Sequence, residues 1–432
     1  MLQQELAEQL LELAMKTGAE ASEVFHTRSH CRPVIFESNR LKQIENTQSE
    51  GIALRLWYNS RPGIAVAYGP VDPQAIVERA IAISQMNAPE IIELAEPYPN
   101  CDYPDHGQHI DFQQLGDWGK EAIALIRKHF PEVICHGEWD CEEEYTRLIN
   151  SQGFDCCHRD TTLSGYIETE LVRGDDFLNV GDGQTQRHHL NPEIIASHIL
   201  QRLEWAGNNV SLASQRMPVL FTAKAADILW GTVAAALNGK QVWEKSSPWS
   251  DRLGEPVTHP LLTISQEPDI GPFSCPFDDE GTRTRPITFI DKGILQLFYT
   301  DRTTGRLLGS GTTGNGFRPG LGSYPSPELF NFLIHPGDLS LNQLISQLDE
   351  GIIVDQILGG TAGISGDFSI NVELGYRVKC GQVLGRVKDT MVAGNVYTAI
   401  KNIVALGNDA DWNGAFSTPS VIVADLSITG KG

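Results

Sequence analysis

The sequence predicts an α+β protein in two parts. Residues 1–210 form an N-terminal α+β domain of duplicated helix, antiparallel-sheet, helix units, with a linker at about 88–110. Residues 211–432 form a C-terminal, mostly antiparallel domain, sandwich or barrel-like. Three observations predict this. Before residue 206, two runs of short strand-like segments are each bracketed by helical apolar patterns. From Thr263 to Thr429 the chain is rich in Gly, Thr, Ser and β-branched residues, with a turn signal about every 8–12 positions. A length of 432 residues corresponds to roughly two or three domains.

The elements follow in order. Leu6, Leu10, Leu13 and Ala14 form a stripe on a helix over Leu2 to Lys16, with Gly18 at its C-cap. Strand-like runs come next at Glu23 to His30, Val34 to Ser38, Gly51 to Tyr58 and Ile64 to Tyr68. Asp72-Pro73 opens a second helix to about Gln85, since Asp caps well and Pro fits the first turn. A Pro-rich acidic passage, Ala88 to His109, reads as the linker. The order then recurs: helix Phe112 to His129, strands over Val133 to Cys141, Tyr145 to Asn150 and Thr162 to Val172, helix Asn191 to Trp205. Asn46-Thr47-Gln48-Ser49 and Asn150-Ser151-Gln152-Gly153 occupy matching places in the two units. Beyond it, Met217 to Phe221 is a buried strand and Thr222 to Leu237 a helix ended by Asn238-Gly239. Leu341 to Leu348 is a short helix. Gly305 to Pro327 is a Gly-rich loop long enough to suggest a functional or partner surface.

Composition excludes several classes. Thirty-three basic and 55 acidic residues give a net charge of −22, which opposes direct nucleic-acid contact. No stretch approaches the roughly 18 apolar residues of a membrane span, and the amphipathic start has no secretory cleavage pattern. Eight scattered cysteines predict reduced thiols in a cytoplasmic protein, and adjacent Cys156-Cys157 make a strained pair.

The most distinctive stretch is Ser274 to Gln296, SCPFDDEGTRTRPITFIDKGILQ. Asp278, Asp279 and Glu280 meet a Gly281 turn, and Asp291-Lys292-Gly293 supplies a second turn, so a β-hairpin is predicted. The carboxylates are expected to be solvated or paired with Arg283 and Arg285. They could share a metal only if the backbone turns there, because neighbouring strand residues face apart.

Pro276-Phe277-Asp278-Asp279-Glu280-Gly281, Arg285 and Ile290-Asp291-Lys292-Gly293 resemble the FDDEG segment of the TldD/PmbA family, the so-called modulators of DNA gyrase. The likeness continues through Ala393-Gly394-Asn395 and Ile403 to Asp409 to Thr418-Pro419-Ser420-Val421. In the family's catalytic branch, the resemblance implies a His-Glu-x-x-x-His run on the helix opening the second domain, with a third zinc ligand from a cysteine near the C-terminus. Here those helix positions are Gly231, Thr232 and Ala236, none of which can bind zinc or act as a base. The last cysteine is Cys380, and the region around Leu406 has none. Asn238-Gly239-Lys240 and Lys245-Ser246-Ser247 likewise resemble the TldE/PmbA branch, which lacks the metal site. The resemblance thus implies a non-catalytic subunit with no cofactor of its own, zinc on a TldD-type partner, and unfolded or extended peptides as substrates. Asp278, Asp279, Glu280, Arg283, Arg285 and Asn395 are the structural or interface candidates.

Other constellations are weaker. His26, His30 and Cys31 lie on a strand, which puts the two histidines roughly 13 Å apart. Cys101, Asp105, His106 and His109 match no zinc spacing, and neither do His188, His189 and His198. Cys156-Cys157-His158 could be a nucleophile and base, but neighbouring strand residues face apart. Gly359 to Gly366 has a phosphate-loop composition without the Lys-Ser/Thr ending. An open sheet edge could accept an extended peptide or a second subunit, so a heterodimer or homodimer is expected. Two alternatives stay open: a hydrolase in its own right using Asp278, Asp279 and Glu280, and an interaction protein modulating DNA gyrase.

Overall fold

Leu6, Leu10 and Ala14 recur every four residues, so helix α1 (Gln3–Lys16) buries one apolar stripe. Gly18 follows at φ 98°, the left-handed turn expected of a C-cap. The structure, a computed structural model, describes residues 3–174, 176–360 and 362–430. Leu2 of the expected first helix and Thr361 of the Gly359 to Gly366 run lie outside the described residues.

The N-terminal sheet has nine strands: β1 (Ala21–Cys31), β2 (Val34–Glu37), β3 (Arg40–Ile44), β4 (Thr47–Tyr58), β5 (Arg61–Tyr68), β6 (Asp102–Tyr103), β7 (Ile134–Asn150), β8 (Asp155–Arg173) and β9 (Asp176–Gln186). Helix α2 (Pro73–Ser84) closes the first unit, while α3 (Phe112–His129) and α4 (Pro192–Trp205) bracket the second. Asp72, Asp111 and Asn191 cap these three helices through their side-chain oxygens, as short polar residues at N-caps do. The two helix–strands–helix units join into one sheet through β1, antiparallel to β7 with Val24 opposite Ile149.

Several expectations change here. The runs at Val133 to Cys141 and Tyr145 to Asn150 are one strand, β7, since Glu142, Glu143 and Glu144 pair in register with Thr162, Thr161 and Asp160 of β8. Ladder bonds override the poor strand propensity of glutamate. The segments at 46–49 and 150–153 are not equivalent: Thr47 begins β4, whereas Ser151–Gly153 turn between β7 and β8. The passage at 88–109 is bound to the sheet, with β6 paired to β8 and Leu94 and Ala95 buried. Cys101 and Cys156 form a disulfide, which corrects the expectation of eight free thiols for that pair.

Gly63 of β5 lies directly under α2. A Cβ there would sit 2.0 Å from the Ala80 carbonyl oxygen and 2.9 Å from the Ser84 nitrogen. Backbone atoms cannot swing aside, so Gly63→Ala is expected to cost about 1–3 kcal/mol. Urea unfolding would show this as a lower midpoint at an unchanged slope.

The second half opens with β10 (Gln215–Phe221), which pairs with Val421–Thr429 and with Glu350–Leu358. Asp367–Lys379 and Thr390–Asn395 complete the ring back to Val421–Thr429, so this seven-stranded sheet closes as a barrel. Its pairings are antiparallel except that of β10 with Glu350–Leu358. A six-stranded sheet carries the predicted hairpin, Ile287–Asp291 with Ile294–Leu295. Helix α5 (Asp227–Leu237) starts five residues later than Thr222 and ends at Asn238, which also caps a short helix, Gly239–Trp243. The Gly305 to Pro327 loop is not structureless: a helix, Arg302–Leu308, enters it, and Gly316–Phe317 pairs with Ser326–Pro327. One apolar cluster runs from α3, α4 and β7–β9 to Leu220, Ile353, Leu374 and Tyr376, joining the two sheets through the α3 and α4 layer. Arg202 of α4 reinforces that joint with a bond of 2.8 Å to buried Asp355.

Candidate functional site

Two places position the residues singled out above. The first is the cleft over α5. Leu229, Trp230, Val233 and Leu237 hold one face of this helix in the core, which leaves Asp227, Ile228, Gly231 and Thr232 beside a cleft of about 480 Å3. The opposite wall is Ile357, Gly359, Gly360 and Ala362. A Cβ on Gly231 or Gly359 would meet nothing within 4 Å, so the backbone there is open.

The three positions where the catalytic pattern would require zinc chemistry diverge. Gly231 is exposed, the Thr232 hydroxyl donates to the Ala362 carbonyl at 3.2 Å, and Ala236 is sealed in the core. These side chains do not fit a zinc ion, since only a threonine hydroxyl offers a donor atom and it is engaged. Among the described residues, no group of three His, Cys, Asp or Glu side chains is arranged for a metal.

Asn395 serves this cleft at one remove. Its Nδ2 donates to the Ser365 carbonyl at 3.0 Å and to Asp367 at 2.9 Å, while its Oδ1 accepts from the amides of Tyr397 and Thr398. It therefore pins the end of the loop that walls the cleft.

The second place is the FDDEG turn, and here the expected chemistry is corrected. Asp278 and Glu280 are buried, not solvated, and neither pairs with Arg283 or Arg285. Asp278 accepts the amides of Glu280 and Thr282 on Oδ1 and of Gly316 on Oδ2. Asp279 accepts the Arg318 amide at 2.8 Å, and Glu280 the Arg302 amide at 2.8 Å. Arg283 instead reaches the Pro99 carbonyl and stacks 4.1 Å from the Tyr98 ring, while Arg285 is exposed. The turn ties the 302–318 segment down through carboxyl oxygens that accept backbone N–H groups. Burial pushes Asp278 up to about 7 and Asp279 to about 6, and burial together with the Asp278 charge pushes Glu280 to about 8.

Arg318 carries this unit onto the N-terminal sheet. Its guanidinium is 2.6 Å from Glu23 of β1, and Glu23 is 2.9 Å from Arg55 of β4. Both arginines lie against aromatic rings, Phe25 and Trp57. Sequence reasoning missed this triad: Glu23 and Arg318 stand 295 residues apart, and nothing local marks either.

The remaining candidates are separated. His26 bonds Glu50 at 2.8 Å and Cys31 donates to Asp140 at 2.9 Å. Asp105 accepts the Thr161 amide, and His109 pairs with Glu143 at 2.8 Å, away from the Cys101 disulfide. His198 pairs with Asp182 at 2.8 Å, whereas His189 packs edge-on against Trp118. The Cys157 thiol donates to Asp102, and burial raises it to about 11, which suits no nucleophile.

Comparison with known proteins places this scaffold. The PmbA/TldA metallopeptidase C-terminal domain matches residues 214–430, just over half of the chain, and PmbA/TldA metallopeptidase domain 1 matches 22–84. The chain belongs to the PmbA/TldD metallopeptidase family. It is 25% identical to the metalloprotease PmbA of Escherichia coli O157:H7, over 91% of this chain and 89% of that one. It is also 25% identical to a metalloprotease PmbA homolog of Haemophilus influenzae, over 98% and 94%. Its fold is similar to that of TldE from Thermococcus kodakarensis, with a TM-score of 0.88 at 21% identity, covering 98% of this chain and 100% of that chain. A Thermotoga maritima structure described as a modulator of a DNA gyrase gives 0.87 at 22% identity, covering 99% and 100%. No described helix is long and apolar enough to cross a membrane.

Proposed function

We propose that this chain is the non-catalytic, TldE/PmbA-type subunit of a metallopeptidase complex that acts on unfolded or extended peptides. The zinc is carried by a TldD-type partner, and the pair works in the cytoplasm. One observation carries the reading: on α5 the positions that would hold two ligands and a base are glycine, an engaged threonine hydroxyl and a core alanine. The cleft that remains is bounded by the open backbone of Gly231 and Gly359, which suits a main chain of any sequence. The alternative of a hydrolase built on the FDDEG carboxylates is disfavoured, because both Asp278 oxygens and one oxygen each of Asp279 and Glu280 already accept backbone amides.

A casein digest tests this. The chain alone is expected to show no chelator-sensitive cleavage, and addition of a TldD-type subunit is expected to produce it, with both chains eluting together. Chelator-sensitive cleavage by the purified chain alone would refute the reading.

A further inference from the structure

A cavity of about 160 Å3 lies where β7 and β8 meet the segment leading into the FDDEG turn. Its lining includes Glu144, Asp160 and Asp279, with Phe277 and Phe317 as aromatic wall. Glu144 and Asp160 are direct cross-strand partners, an arrangement of like charges that a sheet disfavours unless something lies between them. Asp160 is only 6% exposed; its Oδ2 accepts the Ser274 amide, and its Oδ1 has no hydrogen-bond partner among the described residues. A buried carboxylate oxygen without a donor is costly, so the site calls for a donor from outside. Arg187, whose charge reaches Asp160, makes no ion pair with it among the described residues; its Nε donates to the Gly271 carbonyl at 2.8 Å, and its Nη2 is buried without a partner among them.

We propose that this cavity binds a primary alkylammonium group, the chemistry of a lysine side chain, with the nitrogen between Glu144 and Asp160 and the stem along Phe277 and Phe317. An ammonium brings three donors and no acceptor, and an aromatic face attracts a cation. The volume, against about 30 Å3 per water molecule, admits a four-carbon stem's charged end. The ammonium has two sources, a lysine of an extended peptide or a free small amine. The peptide source rests on the function proposed above; the pocket itself does not.

Binding is expected to rise with pH. Burial holds Asp160 and Asp279 up to about 6, so both lose charge as pH falls to 5 and release protons when a cation binds. The pocket is also lined by Glu144 from β7, His158 from β8, which burial keeps neutral at neutral pH, and Cys275, and the charges of Asp105, Arg187, Asp269, Asp278 and Arg318 act on its lining groups. Among these, only Arg187 and Arg318 are cations, and Arg318 already faces Glu23.

Titration calorimetry on the isolated full chain tests the proposal with n-butylammonium and with an unstructured peptide carrying one lysine or norleucine in its place, N-terminally acetylated. Saturable binding with a dissociation constant on the order of 1 mM is expected for the amine at pH 7.5. Asp160→Asn and Glu144→Gln should each weaken it about tenfold; the Glu144 side chain makes no hydrogen bond or ion pair among the described residues, so the second variant keeps every contact of the fold. Lysine-dependent peptide binding would assign the peptide source, and amine binding without it the free source. Binding unchanged by both variants, or none that saturates, would overturn the pocket. None of these readouts involves proteolysis, so their failure is separate from failure of the subunit role.

Discussion

Glu23→Ala is expected to destabilise the protein by about 3–5 kcal/mol, and Arg318→Ala by clearly less. The order follows from charge. Glu23, Arg55 and Arg318 are buried together, with one carboxylate between two guanidiniums. Removing Glu23 leaves two buried cations facing each other, whereas removing Arg318 leaves a neutral Glu23–Arg55 pair. Burial alone would raise the Glu23 carboxyl, yet the two guanidiniums hold it below its ordinary range, so the cluster favours the charged form. Arg318 also gives its backbone amide to Asp279, a bond that alanine at 318 would keep. Urea unfolding of both variants at pH 7 decides the matter, and equal losses would show that the pairs act independently. The double variant should lose less than the sum of the two, because the residues share one interaction.

The second large effect concerns pH. Glu280→Gln is expected to gain stability relative to the parent as pH rises from 5 to 8.5, by about 2–4 kcal/mol across that range. Glu280 sits at about 8 in the folded chain because burial and then the Asp278 charge oppose its ionisation, against an ordinary value of 4.5. The folded state therefore holds a proton that the unfolded state releases. Its contribution is complete below the ordinary carboxylate range and is lost as pH rises through about 8. Glutamine keeps an oxygen for the Arg302 amide and cannot ionise, so the variant escapes that loss. Unfolding curves of both proteins at pH 5.5 and 8.5 would check it; a difference that does not change with pH would mean that Glu280 does not titrate in this range.

Much of the fold was legible because its signals are local. The α1 stripe, the Asp72, Asp111 and Asn191 caps and the Asp291-Lys292-Gly293 turn each specify structure through residues within about one turn. The strand Ile134–Asn150 was harder, because Glu142 to Glu144 carry no strand signal of their own and hold their place through bonds to β8. The attachment of 88–109 to the sheet was illegible for a similar reason: β6 is two residues long and exists only through its partner.

The site divides in the same way. What Gly231 and Ala236 of α5 lack was decided by residue identity alone, since glycine and alanine side chains have no metal-donor atoms in any fold. The fate of Asp278, Asp279 and Glu280 was decided only in three dimensions. A carboxylate in a polar turn is solvated by default, and here the 302–318 segment supplies amides that replace water while the N-terminal sheet supplies Glu23 and Arg55 to receive Arg318. Solvation depends on what packs over a group, and nothing within a few residues of the turn encodes that cover.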